Sequence, residues 1–265
     1  MKPDFEQYIT KTKLIEKTDA SKKIFGEVFD DKTINLLHYL SQKKYFKEIE
    51  FAINEGKEAI VFRALDYNDE FKAVKIYRIK TANFHNMRPY IDGDNRFKKL
   101  GKDKHDMVFN WCKKEFKNLE LAKKANVPVP GPLASKNNIL VMDFIGDKEG
   151  IACKTLKDTK LNKEEMESVF EKVVDDYARL VFNANLIHAD LSEFNILIKW
   201  QNEKPEPIII DIGQAVLINH PKAMIFFERD IKNIARYFSR KGVEIDDESL
   251  KEKLRQMKEK IKKEK

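Results

Sequence analysis

Two short apolar segments in the second half of the chain constrain the fold most, because each one borders a cluster of polar side chains. The first segment covers residues 186–198 and reads LIHADLSEFNILI, and the second covers 207–216 and reads PIIIDIGQAV. Short apolar runs of this kind, bounded by polar turns, predict buried strands. Asp190 and Asn195 therefore lie between two predicted strand segments, and Asp211 directly follows a third.

The spacing His-x-Asp-x-x-x-x-Asn matches the catalytic loop of protein kinases. Such a loop needs a carboxylate that accepts or orients the proton of an attacking hydroxyl, which fits Asp190. It also needs a neutral amide oxygen that binds Mg²⁺ without adding more negative charge beside the phosphates, which fits Asn195. Asp211 has the position of the second metal ligand. An isolated Asp at a strand end is more often a turn or a cap, but both motifs in this order favour phosphoryl transfer.

The first half of the chain contains a stretch in which apolar and polar residues alternate. This pattern predicts three antiparallel strands at about 48–53, 59–66 and 71–78. The third strand carries Ala73-Val74-Lys75, similar to the V-A-I-K strand of kinases, so Lys75 is expected to neutralise the α- and β-phosphates. We expect its ion-pair partner to be Glu115 on the next helix, with Glu120 as the alternative.

The turn between the first two predicted strands is the expected phosphate-covering loop. It reads Asn54-Glu55-Gly56-Lys57-Glu58-Ala59 and therefore has one glycine where many kinases have G-x-G-x-x-G. One glycine is enough for the turn, but the sequence taken alone is that of a generic hairpin.

The remaining pattern predicts a β-rich first part and a helical second part. Residues 1–47 are expected to be a helical extension that packs on the N-lobe. Residues 48–145 are expected to be the N-lobe, with a flexible loop at 80–110 and a hairpin that turns at Asn137-Asn138. Residues 146–265 are expected to be a helical C-lobe that ends in an amphipathic helix. We therefore predict an α+β, bilobal, protein-kinase-like fold with the ligand cleft between the lobes.

Composition limits the class of protein further. The net charge is +7, with 51 Lys+Arg against 44 Asp+Glu. This charge is compatible with an acidic partner, but it is too small for the chain to be a polycation. The two cysteines exclude a disulfide framework and a Cys-rich zinc site, and they suit a reducing compartment. Neither a secretory signal nor a membrane-spanning run is evident, so we expect a cytoplasmic protein with no membrane partner.

With these motifs assembled, the sequence resembles the RIO family of atypical protein kinases, and most closely its type-1 branch. The resemblance rests on GKEA at 56–59, HADLSEFN at 188–195 and DIGQAV at 211–216. The approach VPGP at 129–132 followed by NILVMDFIG at 138–146 is also similar. As in that family, no A-P-E triplet follows Asp211, which implies a reduced C-lobe without the usual activation segment.

The resemblance implies roles for individual residues. Asp190 would be the catalytic base, Asn195 and Asp211 would bind Mg²⁺ or Mn²⁺, and Asp211 could be a transient phosphoryl acceptor. Lys75 would bind the phosphates and Glu115 would hold Lys75. ATP would be contacted by a further set of residues: Gly56, Lys57, Glu58, Ala59, Val61, Ala73, Met142, Asp143, Ile145 and Leu197. The implied partners are precursors of the small ribosomal subunit and their rRNA.

Two alternatives compete with this interpretation. A small-molecule phosphotransferase of the aminoglycoside-kinase type has a similar His-x-Asp-x-x-x-x-Asn loop and also lacks A-P-E. The GKEA segment and the long insert after Lys75 favour the RIO interpretation. A non-catalytic RNA-assembly factor on a kinase fold is disfavoured because all the expected polar catalytic positions are occupied.

Overall fold

The computed structural model describes residues 29–79, 84–97 and 103–263. The predicted helical extension over residues 1–47 therefore lies largely outside the described residues. The chain divides into two compact units. The first unit takes its described residues from 1–86, 99–116 and 132–144, and the second takes them from 87–98, 117–131 and 145–265.

The first unit contains a five-stranded sheet with the order β1-β2-β3-β5-β4. Its strands are β1 (Glu48–Glu55), β2 (Ala59–Leu65), β3 (Phe71–Tyr77), β4 (Pro132–Lys136) and β5 (Ile139–Asp143). Neighbouring strands pair antiparallel throughout, as the alternating sequence predicts. The β4–β5 hairpin turns at Asn137, whose φ of 51° is a left-handed conformation that asparagine tolerates.

One face of this sheet packs on helix α1 (Asp31–Gln42). The helix begins at Asp30, whose side chain accepts a hydrogen bond of 2.8 Å from the Thr33 N–H. Leu37 and Leu40 then join a buried apolar cluster with alternate residues of the sheet: Ile60, Phe62, Ala64, Val74, Ile76, Ile139 and Val141. Because side chains of a strand alternate between faces, the residues between these project from the opposite face.

The second unit is mainly helical. Its helices include α4 (Lys163–Phe182), α5 (Ala223–Arg240) and α6 (Asp247–Lys263). Its strands form two separate pairs, β6 (Leu186–Ile187) with β9 (Val216–Leu217), and β7 (Ile196–Gln201) with β8 (Lys204–Ile209). Helix α4 begins at Asn162, which forms a capping box with Glu165.

The segment 80–110, which the sequence predicts to be a flexible loop, contains helical structure in its described part. Helix α2 (Phe84–Ile91) is followed by a 3₁₀ turn at Asn95–Phe97, and helix α3 (Lys104–Lys124) begins inside the segment. The sequence does not predict this helix, because α2 contains Pro89 and no long apolar period marks it. Met87 and Ile91 are nevertheless buried one helical turn apart, so tertiary packing stabilises it.

The C-terminal helix α6 docks on the helices of its own unit. Leu250 and Leu254 of the predicted amphipathic helix are buried, and Lys253 forms an ion pair with Glu171 of α4 at 2.5 Å. Among the described residues, no helix is both long enough and apolar enough to cross a lipid bilayer.

Candidate active site

The first unit contains a buried ion pair between β3 and α3. Lys75 Nζ lies 2.9 Å from Glu115 Oε1 and 2.8 Å from Glu115 Oε2. The two side chains are only 9% and 2% exposed, and Glu115 also accepts a hydrogen bond from the Tyr77 hydroxyl. The alternative partner, Glu120, pairs with Lys117 instead. The structure therefore brings Lys75 and Glu115 together in the arrangement that the sequence predicts.

Several predicted nucleotide contacts share the sheet face that carries Lys75. Val61 of β2 lies opposite Lys75 in the strand register, and Met142 of β5 lies opposite Ala73. Paired residues of neighbouring strands project from the same face, and residues two apart on one strand do so as well. Strand alternation thus places Val61, Ala73, Lys75 and Met142 together on the face that does not pack on α1.

The predicted phosphate loop is a tight connection between β1 and β2. Gly56 N–H donates to the Ala59 carbonyl at 2.9 Å, and a Cβ at Gly56 would lie 3.2 Å from that oxygen. A side chain at this position would crowd the turn. Lys57 is exposed at its tip, whereas Glu58 accepts a hydrogen bond from the Arg78 N–H at 2.8 Å.

Arg78 is a buried residue at this loop that the sequence analysis missed. Its guanidinium pairs with Glu55 at 2.6 Å, so its side chain and its backbone together tie the loop to the end of β3. A pairing of two charges across a turn leaves no local sequence signal, which explains the omission.

Two of the predicted ATP contacts, Asp143 and Ile145, lie at or just after the end of β5. Asp143 is the last residue of β5 and lies opposite Lys72 of β3. The Ile145 carbonyl accepts a hydrogen bond from Cys153 N–H at 3.0 Å, so a new ligand would more readily use its N–H. Leu197 is a half-buried residue of β7, where it lies opposite Ile208.

In the second unit, strand pairing holds two loops side by side. Residues 188–195 connect β6 to β7, and residues 210–215 connect β8 to β9. Since β6 pairs with β9 and β7 pairs with β8, both ends of one loop are bound to the ends of the other. The Ile210 N–H donates to the Asn195 carbonyl at 3.0 Å. This topology explains why Asn195 and Asp211 lie beside each other.

Asp190 is held within this pair of loops by two side-chain amides. Asn195 Nδ2 donates to the Asp190 carbonyl at 2.8 Å and lies 3.4 Å from its Oδ2. Gln214 Nε2 donates to the same Oδ2 at 3.0 Å. Burial raises the pKa of Asp190, and the nearby negative charge of Asp211 raises it further. A carboxylate with a raised pKa is a better proton acceptor.

Asn195 and Asp211 have the chemistry of a magnesium site. The Asn195 amide nitrogen faces Asp190, which leaves its oxygen for a cation, and Asp211 is exposed with a left-handed φ of 57°. No cluster of three or more His, Cys, Asp or Glu side chains with metal-binding geometry occurs among the described residues. Mg²⁺ usually takes one or two protein carboxylates and completes its shell with water and phosphate oxygens, so this sparse donor set fits it.

Asp230 of α5 anchors the catalytic loop, a role that no sequence motif indicates. Its two carboxylate oxygens accept hydrogen bonds from Ala189 N–H at 2.8 Å and Leu191 N–H at 2.9 Å. These bonds hold Ala189 at a φ of 68°. Burial raises the pKa of Asp230 to about 7. Asp230 and the loop that it contacts are far apart in sequence, so only the tertiary fold reveals the contact.

His188 is a fully buried imidazole whose pKa is lowered to about 4, chiefly by burial. Its Nε2 lies 3.1 Å from the Ile210 carbonyl, so the neutral ring donates a hydrogen bond to the neighbouring loop. Because the unfolded chain binds a proton near pH 6.5, protonation favours unfolding as the pH falls from 6.5 toward 4.

We expect this histidine to reduce the free energy of unfolding by about 2 kcal/mol at pH 5 relative to pH 7.5. His188→Asn retains a donor but does not titrate in this range. Urea unfolding at both pH values should therefore show a pH dependence that is about 2 kcal/mol smaller for the variant. Equal pH dependence in the two proteins would show that His188 is not held neutral.

The two units together define the class of the protein. An antiparallel sheet with a buried Lys–Glu pair and a helical unit with a His-x-Asp-x-x-x-x-Asn loop beside a metal-type Asp are the parts of a protein-kinase-like phosphotransferase. The RIO domain family matches residues 60–251. The chain belongs to the RIO family of atypical kinases, and its relatives place it in type 1.

Curated relatives and solved structures agree on this family. The RIO-type serine/threonine-protein kinase Rio1 of Haloferax volcanii is 40% identical over 250 residues, 94% of this chain and 82% of that protein. The Rio1 of Thermoplasma acidophilum is 40% identical over 193 residues, 73% of this chain and 97% of that protein. Crystal structures of Rio2 kinase from Chaetomium thermophilum show the same fold. One is 26% identical with a TM-score of 0.62, and covers 77% of this chain and 60% of that one.

A second Chaetomium thermophilum structure is described as a Rio2 kinase-ADP/Mg²⁺-phosphoaspartate complex. It is 23% identical with a TM-score of 0.62, and covers 88% of this chain and 74% of that one. The predicted α+β kinase-like fold is thus confirmed.

Proposed function

We propose that this protein is an ATP-dependent serine/threonine kinase and ATPase that uses Mg²⁺. The observation that carries the proposal is the pairing of the 188–195 and 210–215 loops, which supports a shared site for Asp190, Asn195 and Asp211. The chain belongs to the RIO family, and its Rio1 relatives are named serine/threonine-protein kinases. This supports the choice of ATP as phosphoryl donor.

Each residue has a distinct part in this chemistry. Lys75, oriented by Glu115, would neutralise the phosphates of ATP, since an ammonium held in a buried pair keeps its position when substrate binds. Asn195 and Asp211 would hold Mg²⁺, which supplies positive charge for the phosphate oxygens. Asp190 would accept the proton of the attacking hydroxyl or water on Oδ1, because Oδ2 already has two amide nitrogens beside it.

A covalent route through Asp211 is part of the proposal. One carboxylate oxygen of Asp211 would attack the γ-phosphorus of ATP, and the bond to the β–γ bridging oxygen would break to release ADP. Water would then hydrolyse the aspartyl-phosphate to Asp211 and inorganic phosphate, with Asp190 accepting the water proton. The exposure of Asp211 is consistent with such an acceptor.

We place the biological role in maturation of the small ribosomal subunit, in the cytoplasm, with precursor particles and their rRNA as partners. The positive net charge supports contact with RNA. Not every basic residue of the predicted insert is available for this, because Arg96 forms a two-pronged ion pair with the buried Asp94.

Purification of small-subunit precursors with tagged wild-type and Asp211→Ala proteins tests the role. We expect both proteins to bind the particles, and we expect added ATP to release the wild type alone. A protein that phosphorylates an aminoglycoside or a sugar but does not bind ribosomal particles would instead be a small-molecule phosphotransferase, the second candidate function.

A further inference from the structure

Gln214 is a polar residue at the candidate site that neither binds the metal nor exchanges a proton in the proposed chemistry. It lies in the turn after Asp211, and its side chain reaches back to the other loop, where Nε2 is 3.0 Å from Asp190 Oδ2. Gln214 is half-buried, so solvent competes only partly for this hydrogen bond. The contact links the turn of the metal-type Asp to the residue proposed as the base.

The chemistry of the two groups fixes the direction of this bond. An ionised carboxylate can only accept, so the Gln214 amide must present its NH₂ group to Asp190. Asn195 Nδ2 lies 3.4 Å from the same Oδ2. Both amide nitrogens therefore lie on one oxygen of Asp190. Its Oδ1 has no hydrogen-bond donor among the described residues.

A second residue stabilises the turn from which Gln214 projects. Asn118 of α3 is fully buried, and its Nδ2 donates to the carbonyls of Ile212 at 2.8 Å and Ala215 at 2.9 Å. Ile212 and Ala215 are themselves buried. These contacts lie on both sides of Gln214 in the chain. They therefore hold its backbone in place independently of the contact between its side chain and Asp190.

We propose that Gln214 is a positioning residue, which holds Asp190 Oδ2 so that Oδ1 faces the attacking hydroxyl or water. The inference rests on the proposed function, since it assumes that Asp190 is the base. It assigns a purpose to the glutamine of the DIGQAV segment that differs from metal binding. Gln214 acts through Asp190 and does not itself touch the reacting atoms.

This role predicts a specific pattern of kinetic change. Loss of the donor would let the Asp190 carboxylate rotate, and a misplaced catalytic group costs about tenfold to a hundredfold in rate. The nucleotide is bound by other residues, so its affinity should not change. A purely structural role would instead lower the melting temperature, and a metal-binding role would weaken Mg²⁺-ATP binding.

The test compares Gln214→Met, Gln214→Glu and the wild type as full-length proteins. Methionine preserves length and removes the donor, while glutamate preserves shape and presents an acceptor to the carboxylate. Gln201→Met, at the exposed end of β7, is the matched control. The measurements are kcat at saturating Mg²⁺-ATP, Kd for Mg²⁺-ATP by calorimetry, and the melting temperature. Asp211→Asn is assayed in parallel.

We expect Gln214→Met to lower kcat about tenfold to a hundredfold, and Gln214→Glu to lower it further. The Kd for Mg²⁺-ATP should stay within twofold of the wild-type value. The melting temperature should stay within about 3 °C of it. A kcat within twofold of the wild type would overturn the assignment. A loss of Mg²⁺-ATP affinity or of melting temperature in both variants, as large as the loss of kcat, would also overturn it. Failure of Asp211→Asn to reduce turnover would overturn the proposed function instead, and absence of turnover in the wild type would overturn both.

Discussion

Asp211→Asn is expected to reduce Mg²⁺-dependent ATP turnover at least about a thousandfold, equivalent to about 4 kcal/mol of transition-state stabilisation. The carboxylate is the only anionic metal ligand in the proposed site and also the proposed phosphoryl acceptor, so one substitution removes both functions. Asparagine tolerates the left-handed φ of 57° at this position, which separates the chemical effect from backbone strain. Steady-state release of inorganic phosphate measures the effect.

Asp92→Asn is the matched control, because Asp92 is an exposed aspartate of the same unit and has no assigned part in the site. Its turnover should equal that of the wild type. Turnover of Asp211→Asn within tenfold of the wild type, with an unchanged melting temperature, would contradict the metal assignment.

Lys75→Met is expected to have the largest effect on stability, because it leaves the buried Glu115 carboxylate without its cation. Removal of one partner of a buried ion pair costs about 3 kcal/mol or more. The same substitution removes the cation proposed for the phosphates, so kcat/KM should fall about a hundredfold to a thousandfold. Urea unfolding and steady-state kinetics measure the two effects independently.

The double variant Lys75→Met/Glu115→Gln separates stability from catalysis. A neutral glutamine can still accept the hydrogen bond from the Tyr77 hydroxyl, so most of the lost stability should return while activity stays low. Lys117→Met breaks the exposed pair with Glu120 and serves as the control, with a cost below about 1 kcal/mol. Recovery of activity together with stability in the double variant would show that Lys75 is structural.

Much of the fold could be predicted because its local patterns are strong. The alternating stretch before Tyr77 predicts β1 to β3, and the Asn137-Asn138 turn predicts the β4–β5 hairpin. The sequence does not predict helix α2, since Pro89 and the polar surroundings give no helical period and the burial of Met87 and Ile91 depends on tertiary packing.

The candidate site likewise contains residues that local motifs predict and residues that only tertiary contacts reveal. Asp190, Asn195 and Asp211 stand at fixed spacings within short motifs, and Lys75 follows from its strand, so the sequence is sufficient to nominate them. The supporting residues were not found. Arg78, Asn118 and Asp230 contact loops that are distant in sequence, and nothing local marks a side chain whose hydrogen-bond partner lies so far along the chain.

The most direct test of the central claim is a single-turnover reaction with γ-labelled ATP, in which label is followed into phosphate, into the protein and into a general serine/threonine substrate. The wild type is expected to transfer or release label only when Mg²⁺ is present. While it remains folded, Asp211→Asn is expected to do neither. Asp190→Asn is expected to keep label on Asp211, because the proposed attack on ATP does not use Asp190, but to release no labelled phosphate and to label no substrate. Release of labelled phosphate or labelling of the substrate by either variant at the wild-type rate, or any transfer by the wild type in the presence of a chelator, would contradict the account.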